Sequence, residues 1–114
     1  MGYIPKQGDI VFMNFNPQAG HEQAGTRPAL IVSNDSYNRY TGLSIVCPIT
    51  NTNKSFPMHI TLDNRTATTG VVLCEHVKSL DLAARNAVFK EKLPDDLMLE
   101  VMERILLSFE GAKP

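Results

Sequence analysis

Short apolar segments separated by turn-forming residues dominate this sequence and constrain its fold more than any other feature. Each segment has the length of a β-strand and is bounded by residues such as Gly, Pro, Asn, Asp or Ser. The predicted strands are Gly8–Phe15, Ala29–Ser33, Leu43–Ile49, Met58–Leu62, Gly70–Val77 and the shorter, more exposed Ala87–Leu93. Many short strands with frequent turns favour a small, strongly bent sheet.

Two helical segments complete the predicted architecture. Asn34 can cap a short helical turn through Tyr40, and Gly42 ends it. After Pro94 an amphipathic helix is predicted to about Phe109, with acids in its first turn. Its core-facing stripe is predicted to contain Leu97, Met98, Val101, Met102, Ile105, Leu106 and Phe109. The sequence therefore predicts an α+β fold, a small SH3-like β-barrel with a C-terminal helix, in one domain spanning residues 1–114.

The charge balance argues against a protein that coats nucleic acid non-specifically. The formal net charge is −1 and the pI is about 6.3, whereas such proteins are usually basic. A local basic cluster can still act within a neutral average. Seven of the twelve acidic residues lie between Asp81 and Glu110, so a nucleic-acid surface is expected in the N-terminal two-thirds.

Several features favour a cytoplasmic protein. No apolar run approaches the ~18 residues that span a bilayer, and Met1 to Asp9 carries no apolar signal region. Cys47 and Cys74 both lie in apolar, strand-like runs. They are predicted to be buried, reduced thiols.

A long polar loop, Asn16 to Pro28, is the first segment that could carry chemistry. Two glycines and two prolines fix its turns, and loops of this length are often functional. Its candidate side chains are His21, Glu22, Gln23 and Arg27. A planar, always-charged guanidinium suits a phosphate, although a Glu–Arg ion pair that only steadies the loop is the simpler alternative.

Two further polar segments follow apolar strands. In the first, Thr50 and Asn51 lie where a buried strand ends, a usual place for a supported site or for a plain turn. In the second, strand alternation would place Glu75 on one face, and His76 and Lys78 on the other. A lone histidine is more often a surface group than a catalyst.

Several other chemistries are not supported by the sequence. Cys47 and Cys74 have no CxxC partner for zinc, and there is no phosphate-binding GxxxxGK[ST], dinucleotide-binding GxGxxG or nucleophile-elbow GxSxG motif. Carboxylates are not clustered as a two-metal nuclease requires. We therefore predict no metal and no cofactor.

Taken together, these segments resemble the MazF/PemK toxins over nearly the whole chain. The first matching run is Gly8-Asp9-Ile10-Val11, Phe15-Asn16-Pro17, Gly20-His21-Glu22-Gln23 and Arg27 to Ser33. The second is Pro48-Ile49-Thr50, and the third is Gly70 to Leu73 with Val77 to Asp81. The terminal helix also occupies the expected position.

The resemblance implies a PemK-type barrel that dimerises and cleaves single-stranded RNA, usually mRNA, without a metal. It implies catalytic roles for Arg27 and Thr50 and a supporting role for Glu22. The implied partner is an antitoxin whose flexible acidic tail covers the RNA site. We expect substrate contacts from His21, Gln23, Asn51, His76 and Lys78. Many relatives have glutamine where this chain has His76, which would alter base preference.

The expected reaction uses the 2′-OH of RNA as the nucleophile and leaves a 2′,3′-cyclic phosphate and a 5′-OH. The general base stays open: Glu22 is a conventional candidate, His21 and His76 are others, and Arg27 is a poor base. The main alternative is a non-catalytic toxin on the same fold that poisons a topoisomerase. A peptide-binding SH3-like module is less favoured, because the chain has no Trp and only 7% aromatic residues.

Overall fold

Antiparallel strands and two α-helices build the part of the chain that the computed structural model describes, residues 3–17, 20, 24–52 and 56–111. The strands are β1 (Asp9–Asn14), β2 (Thr26–Ile31), β3 (Ser44–Thr50), β4 (His59–Thr61), β5 (Val71–Leu73), β6 (Lys78–Leu80) and β7 (Val88–Lys92). The helices are α1 (Asp35–Thr41) and α2 (Asp95–Leu107), and a 3₁₀ helix (Cys74–His76) separates β5 from β6.

The strands form one sheet in the order β4-β5-β3-β2-β1-β7, with β6 also paired to β3. β2 lies along one edge of β3, and the other edge is shared, since residues 44–46 pair with β6 and residues 49–50 with β5. Among the described strands, β4 and β7 do not pair with each other, so the sheet is barrel-like but not closed. The predicted α+β barrel with a C-terminal helix is confirmed in this open form.

Alternation along the strands gives the sheet two apolar faces, each with its own core. One face packs against α2, and its buried residues include Ile10, Leu30, Cys47, Ile49, Val72, Leu97, Val101 and Ile105. The other face carries a smaller cluster of Val11, Met13, Phe15, Ala29, Ile31, Val46 and Leu82. Burial on both faces fixes the register of the central strands, because a one-residue slip would exchange the two apolar faces.

The two predicted helices are present. The Asn34 side chain accepts a 2.8 Å hydrogen bond from the backbone N–H of Tyr37, and Gly42 ends α1 in the left-handed conformation. In α2 the predicted stripe is correct through Ile105 but wrong for Leu106 and Phe109, which are 55% and 75% exposed. The helix ends at Leu107, so helical periodicity no longer directs Phe109 towards the core.

Two strand predictions need correction. Gly70–Val77 is not one strand: β5 ends at Leu73, where ψ is 86° and the 3₁₀ helix begins. Period-two alternation therefore does not govern residues 74–76, and the separate strand β6 that follows was not predicted. β2 starts at Thr26 and not at Ala29, so Arg27 belongs to a strand and not to the loop.

Both cysteines are buried and free, as the sequence predicts. Neither described helix combines the length and apolar character that crossing a bilayer requires.

Candidate active site

Arg27 is fixed by both its backbone and its side chain. It is the second residue of β2 and lies opposite Met13 of β1. Its Nε donates a 3.0 Å hydrogen bond to the carbonyl oxygen of Ala24, and the side chain is half-buried. Because that bond uses Nε alone, the N–H groups on both Nη atoms remain donors that suit phosphate oxygens.

Thr50 is the last residue of β3 and is buried at 8% exposure. Its Oγ1 accepts a 3.2 Å hydrogen bond from the backbone N–H of Thr52, which turns the chain as it leaves the strand. Its backbone pairs with Val71 of β5. The hydroxyl is therefore held at a rigid strand end and can still donate its proton to a ligand.

Strand register brings Arg27 and Thr50 together. β2 and β3 are antiparallel, with Ala29 opposite Pro48. If this register is continued by two residues, towards the start of β2 and the end of β3, Arg27 would lie opposite Thr50. Because side chains alternate between faces, Arg27 and Thr50 share the sheet face of Ala29 and Pro48. Asn51 follows Thr50 directly, so it lies at the same end of the sheet.

Three predicted site residues, His21, Glu22 and Gln23, lie outside the described residues. The stem of their loop is described, and it is closed by hydrogen bonds. The backbone N–H of Phe15 donates to Gly25 at 2.9 Å, and the backbone N–H of Gly25 donates to Asn16 Oδ1 at 2.9 Å. The loop therefore starts and ends beside Arg27.

His76 is in a different neighbourhood from Arg27. It belongs to the 3₁₀ helix, and its Nε2 lies 3.9 Å from Glu75 Oε2. The same Glu75 oxygen lies 2.8 Å from His59 Nε2 of β4. These three side chains form a polar cluster beside α2.

Lys78, the first residue of β6, lies beside an earlier part of β3. It pairs with Val46, four residues before Thr50, which is about 13 Å along the strand. The structure thus groups Arg27, Thr50 and Asn51 and separates them from His76 and Lys78. Whether those two side chains contact a substrate stays a prediction.

Arg85, which the sequence did not point to, supports the loop stem. Its Nη1 donates to the carbonyl oxygens of Asn14 at 3.2 Å and Asn16 at 2.9 Å. Its partners are main-chain groups, which every residue carries, so no sequence signal marked this arginine. It acts as a positioning residue for the loop between β1 and β2.

No metal centre is evident in the described part of the chain. Within it, no three His, Cys, Asp or Glu side chains converge as ligands of one ion. The site that these residues do form is a cation and a hydroxyl on one sheet face.

Comparisons with known proteins agree with this architecture. The model of the family described as PemK-like, MazF-like toxin of type II toxin–antitoxin system matches residues 6–109. The chain is 38% identical to the endoribonuclease PemK of Escherichia coli over 104 residues, which cover 88% of this chain and 78% of that protein.

Solved structures of relatives have the same fold. MazF from Deinococcus radiodurans superposes with a TM-score of 0.88 and 43% identity, covering 94% of this chain and 99% of that one. A MazE–MazF structure from the same organism superposes with a TM-score of 0.82 and 34% identity, and the match covers 97% of this chain and 100% of that one. The resemblance read from the sequence is thus confirmed, and the chain belongs to the PemK-like, MazF-like toxin family of type II toxin–antitoxin systems.

Proposed function

We propose that this protein is the toxin of a toxin–antitoxin pair and acts as a sequence-specific endoribonuclease on single-stranded RNA, chiefly mRNA. The observation that carries this function is the register of β2 on β3, with Ala29 opposite Pro48, from which alternation puts Arg27 and Thr50 on one sheet face at adjacent strand ends. A guanidinium and a hydroxyl placed there can bind the same phosphate group. The PemK relative, named an endoribonuclease, supports the same activity.

The proposed reaction is attack of a ribose 2′-oxygen on the neighbouring phosphorus, with cleavage of the bond from phosphorus to the 5′-oxygen. The 2′-OH proton passes to a base and the 5′-oxygen receives a proton, so the products are a 2′,3′-cyclic phosphate and a 5′-OH. Arg27 stabilises the charge on the non-bridging oxygens, and Thr50 donates a hydrogen bond to the same group. DNA lacks the 2′-OH and is not cut.

The reaction needs no metal ion, because RNA supplies its own nucleophile and Arg27 supplies the charge stabilisation. Glu22 is proposed to support catalysis, and the base is proposed to be Glu22, His21 or the more distant His76. Gln23 and Lys78 complete the proposed substrate contacts. Single-strand selectivity follows if bases must leave the stack to reach these groups.

Two protein partners belong to this proposal. The first is an antitoxin with a flexible acidic tail, whose charge complements Arg27; the MazE–MazF structure of a relative supports such a partner. The second is another copy of this chain, because a 114-residue domain has a modest core that dimerisation would stabilise. Cleaving mRNA would arrest translation and growth, and the proposed site of action is the cytoplasm.

The test is cleavage of a long single-stranded RNA by purified protein in EDTA, with the ends of each fragment mapped. Arg27→Ala and Thr50→Val should each lower the rate by ~10²–10³. Arg39→Ala and Ser36→Ala are matched controls, because both residues are exposed on α1, which joins the opposite ends of β2 and β3. They should cleave like wild type.

Fragments with 5′-phosphate and 3′-OH ends would refute the 2′-OH mechanism. If the wild-type protein arrests growth but leaves the RNA intact, the nuclease function is refuted. Inhibition of a topoisomerase would then be tested.

A further inference from the structure

The Glu91 side chain crosses the open side of the sheet. β4 and β7 are the outer described strands, and they are not hydrogen-bonded to each other. The loop that joins β4 to β5 (residues 62–70, the β4–β5 loop) lies at the β4 end of the sheet, whereas Glu91 belongs to β7. Hydrogen bonds between this loop and Glu91 therefore connect the two ends of the sheet, as strand pairing does in a closed barrel.

The contact between Glu91 and the loop uses both carboxylate oxygens. Oε1 accepts a hydrogen bond from the backbone N–H of Ala67 at 3.0 Å. Oε2 accepts two from Thr68, one from the backbone N–H at 2.8 Å and one from the hydroxyl at 2.7 Å. Hydrogen bonds to an ionised carboxylate are roughly twice as strong as those between neutral groups. Glu91 is also half-buried, so water competes less for these bonds than at an exposed site.

A second contact holds the same loop less firmly. Arg65 donates hydrogen bonds to both carboxylate oxygens of Asp96 in α2, at 2.8 and 2.9 Å. Both side chains are exposed, and exposed ion pairs contribute little to stability. We therefore expect Glu91 to be the residue that fixes the second half of the loop.

Hydrogen bonds within the loop make it move as one piece. The hydroxyl of the buried Thr66 donates to the carbonyl oxygen of Thr68 at 2.7 Å. At the base of the loop, the backbone N–H of Leu62 donates to the carbonyl oxygen of Gly70 at 2.9 Å. A displacement at residues 67 and 68 would therefore reach Gly70.

The loop leads directly to the end of β3. The hydroxyl of Thr69 donates a 3.0 Å hydrogen bond to Asn51 Oδ1. The backbone of Gly70 packs against the carbonyl group of Thr50, and Val71, the next residue, pairs with Thr50 in the sheet. A shift of the loop would therefore move the strand end that carries the Thr50 hydroxyl.

We propose that Glu91 is a positioning residue for RNA cleavage: it holds the β4–β5 loop across the open side of the sheet and so keeps Thr50 in place for the phosphate. Glu91 acts through Thr50 and needs no contact with RNA. The inference rests on the proposed endoribonuclease function, in which Thr50 binds the reacting phosphate. The alternative is a contact that stabilises the fold and leaves the site unaffected.

The experiment compares wild type with two variants of Glu91. Glu91→Ala removes all three hydrogen bonds, and Glu91→Gln keeps an oxygen acceptor without the charge. Glu100→Ala is the matched control, because it removes an exposed carboxylate from α2. Thermal unfolding confirms that each variant is folded.

Two measurements on a short RNA with one mapped cut separate catalysis from binding. Single-turnover cleavage at saturating protein gives the rate constant of the chemical step. The same RNA with a 2′-deoxy nucleotide at the cut lacks the nucleophile, so its binding gives a Kd without cleavage.

Glu91→Ala should lower the saturating rate constant by on the order of tenfold, because a small misplacement of a reacting group is costly. Glu91→Gln should fall between Glu91→Ala and wild type. Both variants should bind the 2′-deoxy RNA within about twofold of wild type, since the interaction lost is one made in the transition state. Glu100→Ala should match wild type in rate and binding.

A double-mutant cycle with Thr50→Val shows whether Glu91 acts through Thr50. Thr50→Val already lacks the hydroxyl that Glu91 is proposed to position. Adding Glu91→Ala to it should therefore slow cleavage further by less than about twofold. If Glu91→Ala slows cleavage by the same factor with and without the Thr50 hydroxyl, it acts elsewhere and the proposal is refuted.

Two other results would overturn the proposal. In the first, folded Glu91→Ala cleaves as fast as wild type, and the contact then only stabilises the fold. In the second, the slower cleavage disappears at saturating protein, and Glu91 then serves RNA binding. If Glu91→Ala does not fold, Glu91→Gln is judged by the same criteria. Failure of the proposed function is a different result, since wild type would then leave all RNA intact.

Discussion

A Cβ atom on Gly70 would lie 2.3 Å from the carbonyl oxygen of Thr50, far inside van der Waals contact. Gly70 also has a φ of +113°, a conformation that other residues rarely adopt. The close approach lets β5 begin directly against the end of β3. Only a hydrogen atom at residue 70 allows the backbone of Thr50 to keep its position.

Gly70→Ala is therefore expected to push the two strands apart. We predict a loss of about 2 kcal/mol or more in the free energy of unfolding and at least a tenfold loss of RNA cleavage. Urea unfolding and single-turnover cleavage measure the two effects. Gly42→Ala is the control, because Gly42 has a φ of +71° with no atom within 4 Å of its added Cβ. It should cost about 1 kcal/mol and leave cleavage intact; equal cleavage by both variants would contradict the prediction.

Arg27→Lys tests whether the site needs a planar guanidinium or only a positive charge. Lysine cannot make the Nε bond to Ala24 while presenting two further donors to a phosphate. We predict a cleavage rate lower by ~10², with unfolding stability within about 1 kcal/mol of wild type. Arg39→Lys is the matched control. A lysine variant with near-wild-type activity would mean that a point charge suffices.

Glu91 should make stability depend on pH in the acid range. Partial desolvation raises the pKa of Glu91, but the hydrogen bonds from Thr68 and Ala67 outweigh it and hold the pKa below its usual value. A lowered folded-state pKa stabilises the protein above the unfolded pKa of about 4.3, and this contribution is lost as pH falls through the folded value. The stability advantage of wild type over Glu91→Gln should therefore shrink below about pH 4.

Urea unfolding at a series of pH values from neutral to acid measures this difference. Glu100→Gln, on the exposed side of α2, is the control and should follow the wild-type pH profile. If the difference in unfolding free energy between wild type and Glu91→Gln is the same at all pH values, the hydrogen bonds from Ala67 and Thr68 do not depend on the charge of Glu91.

The two thiols should be unreactive in the folded protein. Burial is the largest cause that raises the pKa of both, with Cys74 at about 12 and Cys47 also far above its usual value. The thiolate is the nucleophile, so little of it exists at pH 8. We predict that an aromatic disulfide reagent labels neither cysteine in native protein at pH 8 and both after unfolding in urea. Rapid labelling of native protein would contradict their burial.

The sequence predicts the elements well where local chemistry decides them. The cap residue Asn34 and the terminating Gly42 define α1, and apolar runs locate the strands. The break after Leu73 escapes prediction, because a short apolar run looks the same whether the chain stays extended or turns.

The candidate site is harder to predict from local patterns. Arg27 and Thr50 meet only through the register of β2 on β3, and the family resemblance, not spacing, marked them. Arg85 and Glu91 were not predicted, because both bind main-chain groups of distant loops. Such contacts leave no side-chain signature in a sequence.

The position of β3 between three partner strands bears on how the activity can be controlled. β2 occupies one edge, and β5 and β6 divide the other. Opening β3 along its whole length would require all three partners to separate. We therefore expect β3 to be lost as a whole only when much of the sheet unfolds with it. We therefore expect the activity to be controlled by a molecule that covers the site and not by local melting of β3.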